Sequence, residues 1–261
     1  MANYEFIDVK IDGPVMEITL NRPEAYNALH GPAHRELDAA FNELESNKEL
    51  WVGIITGAGD KAFCAGNDLK ATQEGGDISA PKSGFGGIVS RYDREKPVIA
   101  AVNGVAMGGG MEIAMACDII MAAQNARFAL PEVKVGLFAA AGGVQRLSRQ
   151  IGRKKAMELI LTGDHFDAQQ ALAYGVVNHV SEGTGSAVME DARALAQKLL
   201  LSSPSSVRAS KRVLNELDAM ERLNESIDSS GPAMLELMKT NDAKEGVLAF
   251  VQKRAPKWTN T

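Results

Sequence analysis

Three glycines and two glutamates are the residues of this chain whose types and spacing are best suited to chemistry. Gly108, Gly109 and Gly110 stand between an apolar run and a helical pattern that carries Glu112. Backbone N–H groups at a helix start have no intrahelical acceptor, so they can stabilise an oxyanion. The alternative interpretation is a tight turn, for which glycine is the usual residue.

Glu112 and Glu132 are the candidate acid–base residues. Glu112 has apolar neighbours from Met111 to Met115, and burial among such side chains raises the pKa of a carboxyl group. Glu132 follows Pro131 in "ARFALPEVKVG". Two such acids close together are the ingredients of acid–base catalysis on one small molecule. The alternatives are a first-turn glutamate favoured by the helix dipole and an exposed loop acid.

A second strand exit occurs in "KAFCAGNDL", residues 61–69, where Gly66 precedes Asp68 at the start of a helix. If the two strand exits lie side by side, their N–H groups would hold one oxygen between them, which is an oxyanion hole. The alternative is two unrelated turns, with Asp68 as an N-terminal capping residue.

The remaining reactive side chains predict no metal or hydrolase site. The four histidines lack the spacing of zinc ligands, and no GxSxG sequence occurs. His34 lies in a helical pattern, where we expect a solvated or half-buried structural role. We expect Cys64 and Cys117 to be buried, reduced thiols, with Cys64 serving packing.

The elements that must position these residues begin with a hairpin of two half-buried strands within residues 1–20. Helical spacing follows from Pro32 to Ser46, and the apolar run "WVGIITG" comes next. Strand, helix and strand in this order predict a crossover unit of a parallel sheet.

The same alternation continues with a strand at 96–104, a helix at 110–117 and a strand in "DIIMAA". Residues 66–95 are rich in Gly, Ser and Pro and predict a surface loop. Beyond about residue 150 the apolar spacing is helical. We therefore expect an α/β core over 1–195 and a helical C-terminal region over 196–261.

Composition limits the function classes. The chain has 261 residues, of which 45% are hydrophobic and 23% charged, and a formal net charge of -5. This balance is typical of a globular protein and argues against nucleic-acid binding. No stretch has the roughly 18 apolar residues of a membrane span. We expect a cytoplasmic protein with a small-molecule partner.

Seven segments together resemble the enoyl-CoA hydratase (crotonase) superfamily over essentially the whole chain. They are "NRPEAYNAL", "IITGAGDKAFCAGNDL", "KPVIAAVNGVAMGGGMEIAMACDIIMA", "ARFALPEVKVGL", "AGGVQRLSRQIG", "ALAYGVVNHV" and "KEGVLAFVQKR". The resemblance implies a spiral of ββα units whose helical C-terminal region trimerises, commonly as a dimer of trimers. It also implies a coenzyme A thioester as substrate, no separate cofactor, and a place in fatty acid β-oxidation.

The resemblance also implies roles for single residues. The backbone N–H groups of Asn67 and Gly109 would hold the thioester oxygen, Glu112 would activate water for attack at C3, and Glu132 would exchange a proton with C2. The implied contacts to substrate or coenzyme A are Ala62, Cys64, Ala65, Gly66, Asp68, Leu69, Ala140, Phe250 and Lys253.

Two positions depart from the pattern of the superfamily. Ala140 in "FAAAGG" stands where a glycine lining the acyl pocket is expected, and its methyl group would narrow that pocket or shift the water. Glu24 stands where many members carry a basic residue near the phosphates of coenzyme A.

Two acids favour a hydratase, because the isomerases of the superfamily typically keep the second acid alone. "FCAGNDLKA", "RFALPE" and "LAFVQKRAPKW" also resemble carnitinyl-CoA dehydratases, which act on a trimethylammonium acyl group. An isomerase, a thioester hydrolase and a binding protein without turnover stay open as alternatives.

Overall fold

The computed structural model describes residues 4–217, 236, 239–252 and 254–261. The chain begins with an antiparallel hairpin of β1 (Ile7–Asp12) and β2 (Val15–Leu20), which turns at Gly13 with a φ of 53°. Strand β1 is mostly exposed, whereas β2 is almost entirely buried because further strands follow it in the sheet. The predicted hairpin is confirmed, but its description as half-buried is wrong for β2.

The first crossover unit is confirmed. Helix α1 (Gly31–Ser46) connects β2 to β3 (Val52–Gly57), and these two strands pair in parallel. The helix buries Leu37 and Phe41 completely in the main core cluster. Its apolar spacing therefore faces the sheet, as an amphipathic crossover helix requires.

The larger sheet has six strands in the order β1-β2-β3-β5-β7-β10, and every pairing except β1 with β2 is parallel. Strands β3 and β5 are buried along their whole length, which explains why their sequences are mainly apolar. The remaining strand bounds are β5 (Val98–Val102), β7 (Ile119–Ala123) and β10 (His179–Ser181).

A second, four-stranded sheet in the order β4-β6-β8-β9 carries the strand exits that the sequence singles out. Strands β4 and β6 pair in parallel, so their carboxyl ends meet at one edge of the sheet. Helix α3 (Gly109–Ala116) begins directly beyond β6. The four strands are β4 (Ala62–Cys64), β6 (Val105–Met107), β8 (Arg127–Ala129) and β9 (Phe166–Asp167).

The segment 66–95 is more ordered than its composition predicts. It contains a short helix α2 (Leu69–Gln73) and a 3-10 helix over Phe85–Gly87. The next two residues, Ile88 and Val89, are buried in the main core cluster. The prediction of a surface loop is therefore wrong for residues 85–89, because the 3-10 helix packs against α1 and α3.

The later part of the chain is helical, as its apolar spacing predicts. Helix α7 packs on the six-stranded sheet through Val188, Ala192 and Ala196. This helix runs across residue 195, where the sequence predicts the boundary between the α/β core and the C-terminal region. That boundary stays a prediction. The helices are α4 (Gly143–Gln150), α5 (Arg153–Thr162), α6 (Ala168–Tyr174), α7 (Gly185–Leu200), α8 (Pro204–Leu217) and α9 (Asn241–Gln252).

Both cysteines are buried free thiols, as expected. Across the described residues, no helix combines the length and the apolar character that crossing a membrane requires.

Candidate active site

Glu112 lies in the first turn of α3 and is 3% exposed. Its backbone N–H donates to the carbonyl of Gly108 at 3.0 Å, which closes that turn. Its side chain reaches a different part of the chain, where Oε1 accepts a hydrogen bond of 2.8 Å from the backbone N–H of Gly143. Gly143 begins helix α4, so this carboxyl group is held between two helix starts.

Burial raises the pKa of Glu112 to about 7, and the nearby charge of Glu132 acts in the same direction. The backbone N–H groups of Gly143 and Ala141 and the charge of Arg146 oppose this rise. At neutral pH, Glu112 is therefore divided between its protonated and ionised forms. A pKa near the working pH is what an acid–base group needs.

Glu132 lies on a 3-10 helix over Pro131–Val135, which follows β8. A Cβ atom at Gly108 would lie 2.9 Å from Oε1 of Glu132, so the glycine leaves room for this carboxyl group. Its Oε2 is buried without a hydrogen-bond partner in the described part of the chain. Burial raises the pKa of Glu132 as well.

The two carboxyl groups are thus close enough to interact, and both are shifted toward the protonated form. Two adjacent carboxylates resist double ionisation, which favours one protonated and one ionised group near neutral pH. The sequence suggests this pairing, and in the structure Glu132 lies against Gly108, four residues before Glu112, and interacts with Glu112 electrostatically.

The two strand exits also meet. Gly66 leaves β4 with a φ of 93°, and a Cβ atom there would lie 3.1 Å from the backbone nitrogen of Gly109. Asn67, the next residue, forms a parallel bridge with Leu29, whose N–H donates to the carbonyl of Gly66 at 2.8 Å. As the first residue of α3, Gly109 has no acceptor for its N–H within the helix. The arrangement places the backbone of residues 66–67 beside that N–H group.

A buried histidine supports this junction. A Cβ atom at Gly109 would overlap the ring of Phe85, so the ring lies directly against the glycine. The rings of His34 and Phe85 meet edge-on with their centroids 4.5 Å apart. Nδ1 of His34 accepts a hydrogen bond of 3.0 Å from the N–H of Gly86. His34 is fully buried, and burial lowers its pKa to about 4. The expectation of a solvated or half-buried histidine is therefore wrong, because the segment 85–89 covers it.

Asp68 caps helix α2, as the alternative interpretation predicts. Its Oδ1 accepts a hydrogen bond of 3.0 Å from the N–H of Ala71, and its Oδ2 pairs with Arg22 at 2.9 Å. These two contacts lower the pKa of Asp68. The ion pair ties the chain beyond Asn67 to the segment that follows β2.

Ala62 and Cys64 lie in the core rather than on an open surface. The carbonyl of Ala62 accepts from the side-chain amide of Asn27 at 2.8 Å, and the carbonyl of Cys64 lies where a Cβ atom at Gly110 would be. Burial raises the pKa of the Cys64 thiol to about 12, which fits a packing role. The backbone of Ala65 is tied to Tyr26 by a 3.0 Å hydrogen bond.

The other residues that the resemblance assigns to substrate or coenzyme A contacts, together with Glu24, lie in several different elements. Ala140 is exposed in the turn between the 3-10 helix and α4, and Glu24 is exposed after β2. Leu69 begins α2 and Phe250 lies on α9, and for both the backbone alone is described. Lys253 lies outside the described residues. Their contacts to substrate stay predictions.

Known proteins share this fold. The sequence profile of the enoyl-CoA hydratase/isomerase family matches residues 10–261. An enoyl-CoA hydratase structure from Mycobacterium tuberculosis H37Rv superposes with a TM-score of 0.92 at 38% identity, covering 98% of this chain and 99% of the other. The chain belongs to the enoyl-CoA hydratase/isomerase family, and its fold is crotonase-like, as the sequence predicts.

Relatives named as carnitinyl-CoA enzymes have a similar sequence identity to this chain. A carnitinyl-CoA dehydratase from Salmonella typhi is 41% identical over 262 residues, which cover 97% of this chain and 98% of that relative. A carnitinyl-CoA hydratase structure from Mycobacterium avium is 42% identical, with a TM-score of 0.78 and coverage of 99% and 100%. These relatives are named as hydratases and dehydratases, which are lyases.

Proposed function

We propose that this chain catalyses the reversible syn addition of water to a 2-trans-enoyl-CoA, which gives a 3-hydroxyacyl-CoA. The observation that carries the proposal is the buried Glu112, which interacts electrostatically with Glu132, whose carboxyl group lies against Gly108 and so next to Gly109 in the chain. This arrangement puts two proton-exchanging groups beside donors for an oxyanion.

Attack of water on C3 moves the electrons of the double bond toward the thioester, whose oxygen becomes negatively charged. The backbone N–H groups of Gly109 and Asn67 stabilise that charge. Donors of this kind cost no reorganisation during the reaction, because the backbone fixes them in place. The close packing of Gly66 against Met107 and Gly109 supports this role of the backbone.

Proton transfer completes the reaction. Glu112 takes the proton of the attacking water, and Glu132 gives a proton to C2. The hydrogen bond from Gly143 directs Oε1 of Glu112, which leaves its other oxygen for the water. The reverse reaction, dehydration, uses the same two groups with their protonation states exchanged.

Coenzyme A belongs to the substrate in this proposal, and the reaction needs no separate cofactor. The nucleotide end of coenzyme A lies near Phe250 and Lys253, and the chain assembles as a homotrimer or a dimer of trimers in the cytoplasm. Similarity to a solved enoyl-CoA hydratase across almost the full chain supports an acyl-CoA substrate. The retention of both acids supports hydration over isomerisation.

A carnitinyl-CoA dehydratase is the second candidate, because curated relatives of that name are 41% identical over almost the whole chain. It would use the same two acids and the same N–H groups. The two candidates differ in the group at the far end of the acyl chain.

The proposal is tested by incubating the purified chain with crotonyl-CoA and following loss of the enoyl thioester absorbance. Chiral analysis should identify one enantiomer of 3-hydroxybutyryl-CoA. Parallel reactions with a 3-enoyl-CoA and a free-thiol assay detect the isomerase and the thioester hydrolase. Turnover in either parallel reaction without hydration of crotonyl-CoA would contradict the proposal and assign the isomerase or the thioester hydrolase activity instead.

A further inference from the structure

A cavity of about 560 Å³ adjoins the candidate active site. Its lining includes Ala140, Ala141 and Gly142, the three residues that precede Gly143. Because Gly143 donates to Glu112, the wall of the cavity is the same turn that holds the acid. The volume falls in the range of ligand-binding pockets. The cavity is therefore placed to receive the part of a substrate that lies beyond the reacting carbons.

Four arginines line this cavity, whereas its described lining contains a single acidic residue, Asp118. The arginines come from two segments that both line the cavity, residues 89–94 and helix α4. Protein cavities of this size are usually lined mainly by apolar side chains. The four residues are Arg91, Arg94, Arg146 and Arg149.

Arg94 is 6% exposed, and only some of its N–H groups have a hydrogen-bond acceptor among the described residues. Its Nη2 donates to the carbonyl of Ala116 at 3.0 Å and to Asp118 at 3.2 Å. Its Nε and Nη1 are buried without a hydrogen-bond partner among the described residues. Asp118 also accepts from Lys211 at 2.8 Å, so one carboxylate serves two cations. Buried guanidinium donors without acceptors are costly, and the shared carboxylate leaves positive charge at this wall of the cavity.

The other arginines leave the charge of the cavity positive. Arg146 donates to two backbone carbonyls, those of Val89 at 2.6 Å and Ala141 at 3.3 Å. Arg149 is exposed at the rim. Arg91 is paired with Asp38 at 2.6 Å, which neutralises its own charge.

We propose that this cavity binds the far end of the acyl group and selects enoyl groups that end in a carboxylate. Arg94 and Arg146 place positive charge at the wall of the cavity, which favours a carboxylate over a neutral group. A trimethylammonium group would lose its hydration beside like charges, with no hydrogen bonds in return. The inference rests on the proposed function, and it favours an acidic acyl group over the cationic one of carnitinyl-CoA dehydratases.

Two pairs of substrates of matched shape test the inference. The first pair is 4-carboxybut-2-enoyl-CoA and its neutral counterpart 5-methylhex-2-enoyl-CoA. The second pair is 4-trimethylammoniobut-2-enoyl-CoA and its neutral counterpart 5,5-dimethylhex-2-enoyl-CoA. We expect kcat/KM for the carboxylate to exceed that of its counterpart by at least about tenfold, since hydrogen bonds to charged groups have this magnitude. The trimethylammonium substrate should fall below its counterpart.

Charge variants show whether the arginines cause the preference. Arg149→Glu, at an exposed position, should lower the ratio of carboxylate to neutral kcat/KM by about threefold or more. Arg94→Gln should bring the ratio close to one. Arg153→Glu changes the net charge equally from an exposed position outside the described lining, and should leave the ratio unchanged. Arg149→Glu keeps the test decisive if Arg94→Gln does not fold.

Binding of the saturated analogues 4-carboxybutanoyl-CoA and 5-methylhexanoyl-CoA, measured by calorimetry, separates this inference from the proposed function. If no enoyl-CoA is hydrated but the carboxylate analogue binds more tightly through the arginines, the cavity inference stands and the proposed function fails. If crotonyl-CoA is hydrated and the matched substrates react equally, the inference is overturned and the proposed function stands. A preference for the trimethylammonium group, or ratios that neither arginine variant changes, would also overturn it.

Discussion

The backbone N–H of Gly143 donates a 2.8 Å hydrogen bond to Oε1 of Glu112, a residue that precedes it by 31 positions. This contact joins the start of α4 to the start of α3. The N–H of Arg146 in turn donates to the carbonyl of Gly142 at 2.8 Å, which fixes the first turn of α4. The direction in which the buried acid points is therefore set by a turn that the sequence places far from it.

The close approach at Gly66 predicts that Gly66→Ala abolishes most of the activity. The new methyl group would lie 2.9 Å from the carbonyl of Met107 and 3.1 Å from the nitrogen of Gly109, so the candidate oxyanion donors must move apart. Loss of one such donor costs about 10² to 10³ in kcat. Steady-state hydration of crotonyl-CoA measures the loss.

Gly13→Ala is the matched control for that substitution. Gly13 also has a positive φ, of 53°, but a Cβ atom there meets nothing within 4 Å. The strain should lower the free energy of unfolding by about 1 kcal/mol and leave kcat/KM unchanged. Equal losses of activity in the two variants would show that strain, and not the junction, causes the effect.

The raised pKa of Glu112 predicts a pH-dependent gain in stability for Glu112→Gln. Between the ordinary value of 4.5 and the folded value of about 7, the folded wild type holds a proton that the unfolded chain has lost. Wild-type stability therefore falls as the pH rises through this window, and the variant lacks this fall. At pH 8 the variant should be more stable by roughly 1 to 3 kcal/mol, with little difference at pH 4.

Denaturant unfolding at several pH values measures this difference. Glu49→Gln, at an exposed position, is the matched control. A constant difference between Glu112→Gln and wild type across the range would mean that Glu112 does not titrate near neutral pH.

His34 predicts an acid instability of the wild type. Its pKa is lowered from 6.5 to about 4, so in this window the unfolded chain binds a proton that the folded chain excludes. Stability is therefore lost as the pH falls from 6.5 to 4, by roughly 2 to 3 kcal/mol from this group. His34→Gln should show a shallower decline, whereas His165→Gln, at an exposed site, should follow the wild type. Parallel declines in all three proteins would contradict the assignment.

The sequence predicts the elements whose patterns are long. The parallel pairing of β2 and β3 around α1 follows from the spacing of apolar residues over more than 40 positions. The position of Glu112 in the first turn of a helix also follows from its neighbours. The resemblance to a known superfamily adds the pairing with Glu132, which local patterns leave open.

What the sequence does not predict depends on contacts between distant segments. Strands β8 and β9 have three and two residues, too few to show a periodicity. The burial of His34 depends on the packing of Phe85, 51 positions later, in a segment whose composition is that of a loop. The unpartnered donors of Arg94 likewise depend on how one carboxylate is shared with Lys211.

The most direct test of the account is the rate of crotonyl-CoA hydration by wild type, Glu112→Gln, Glu132→Gln and the double variant. Each substitution keeps the shape of the side chain and removes its ability to exchange a proton. We expect each single variant to lose at least about 10² in kcat, and the double variant to lose little more than the worse single one, because the two acids act as a unit. Wild-type turnover in either folded single variant would contradict the assignment of the pair.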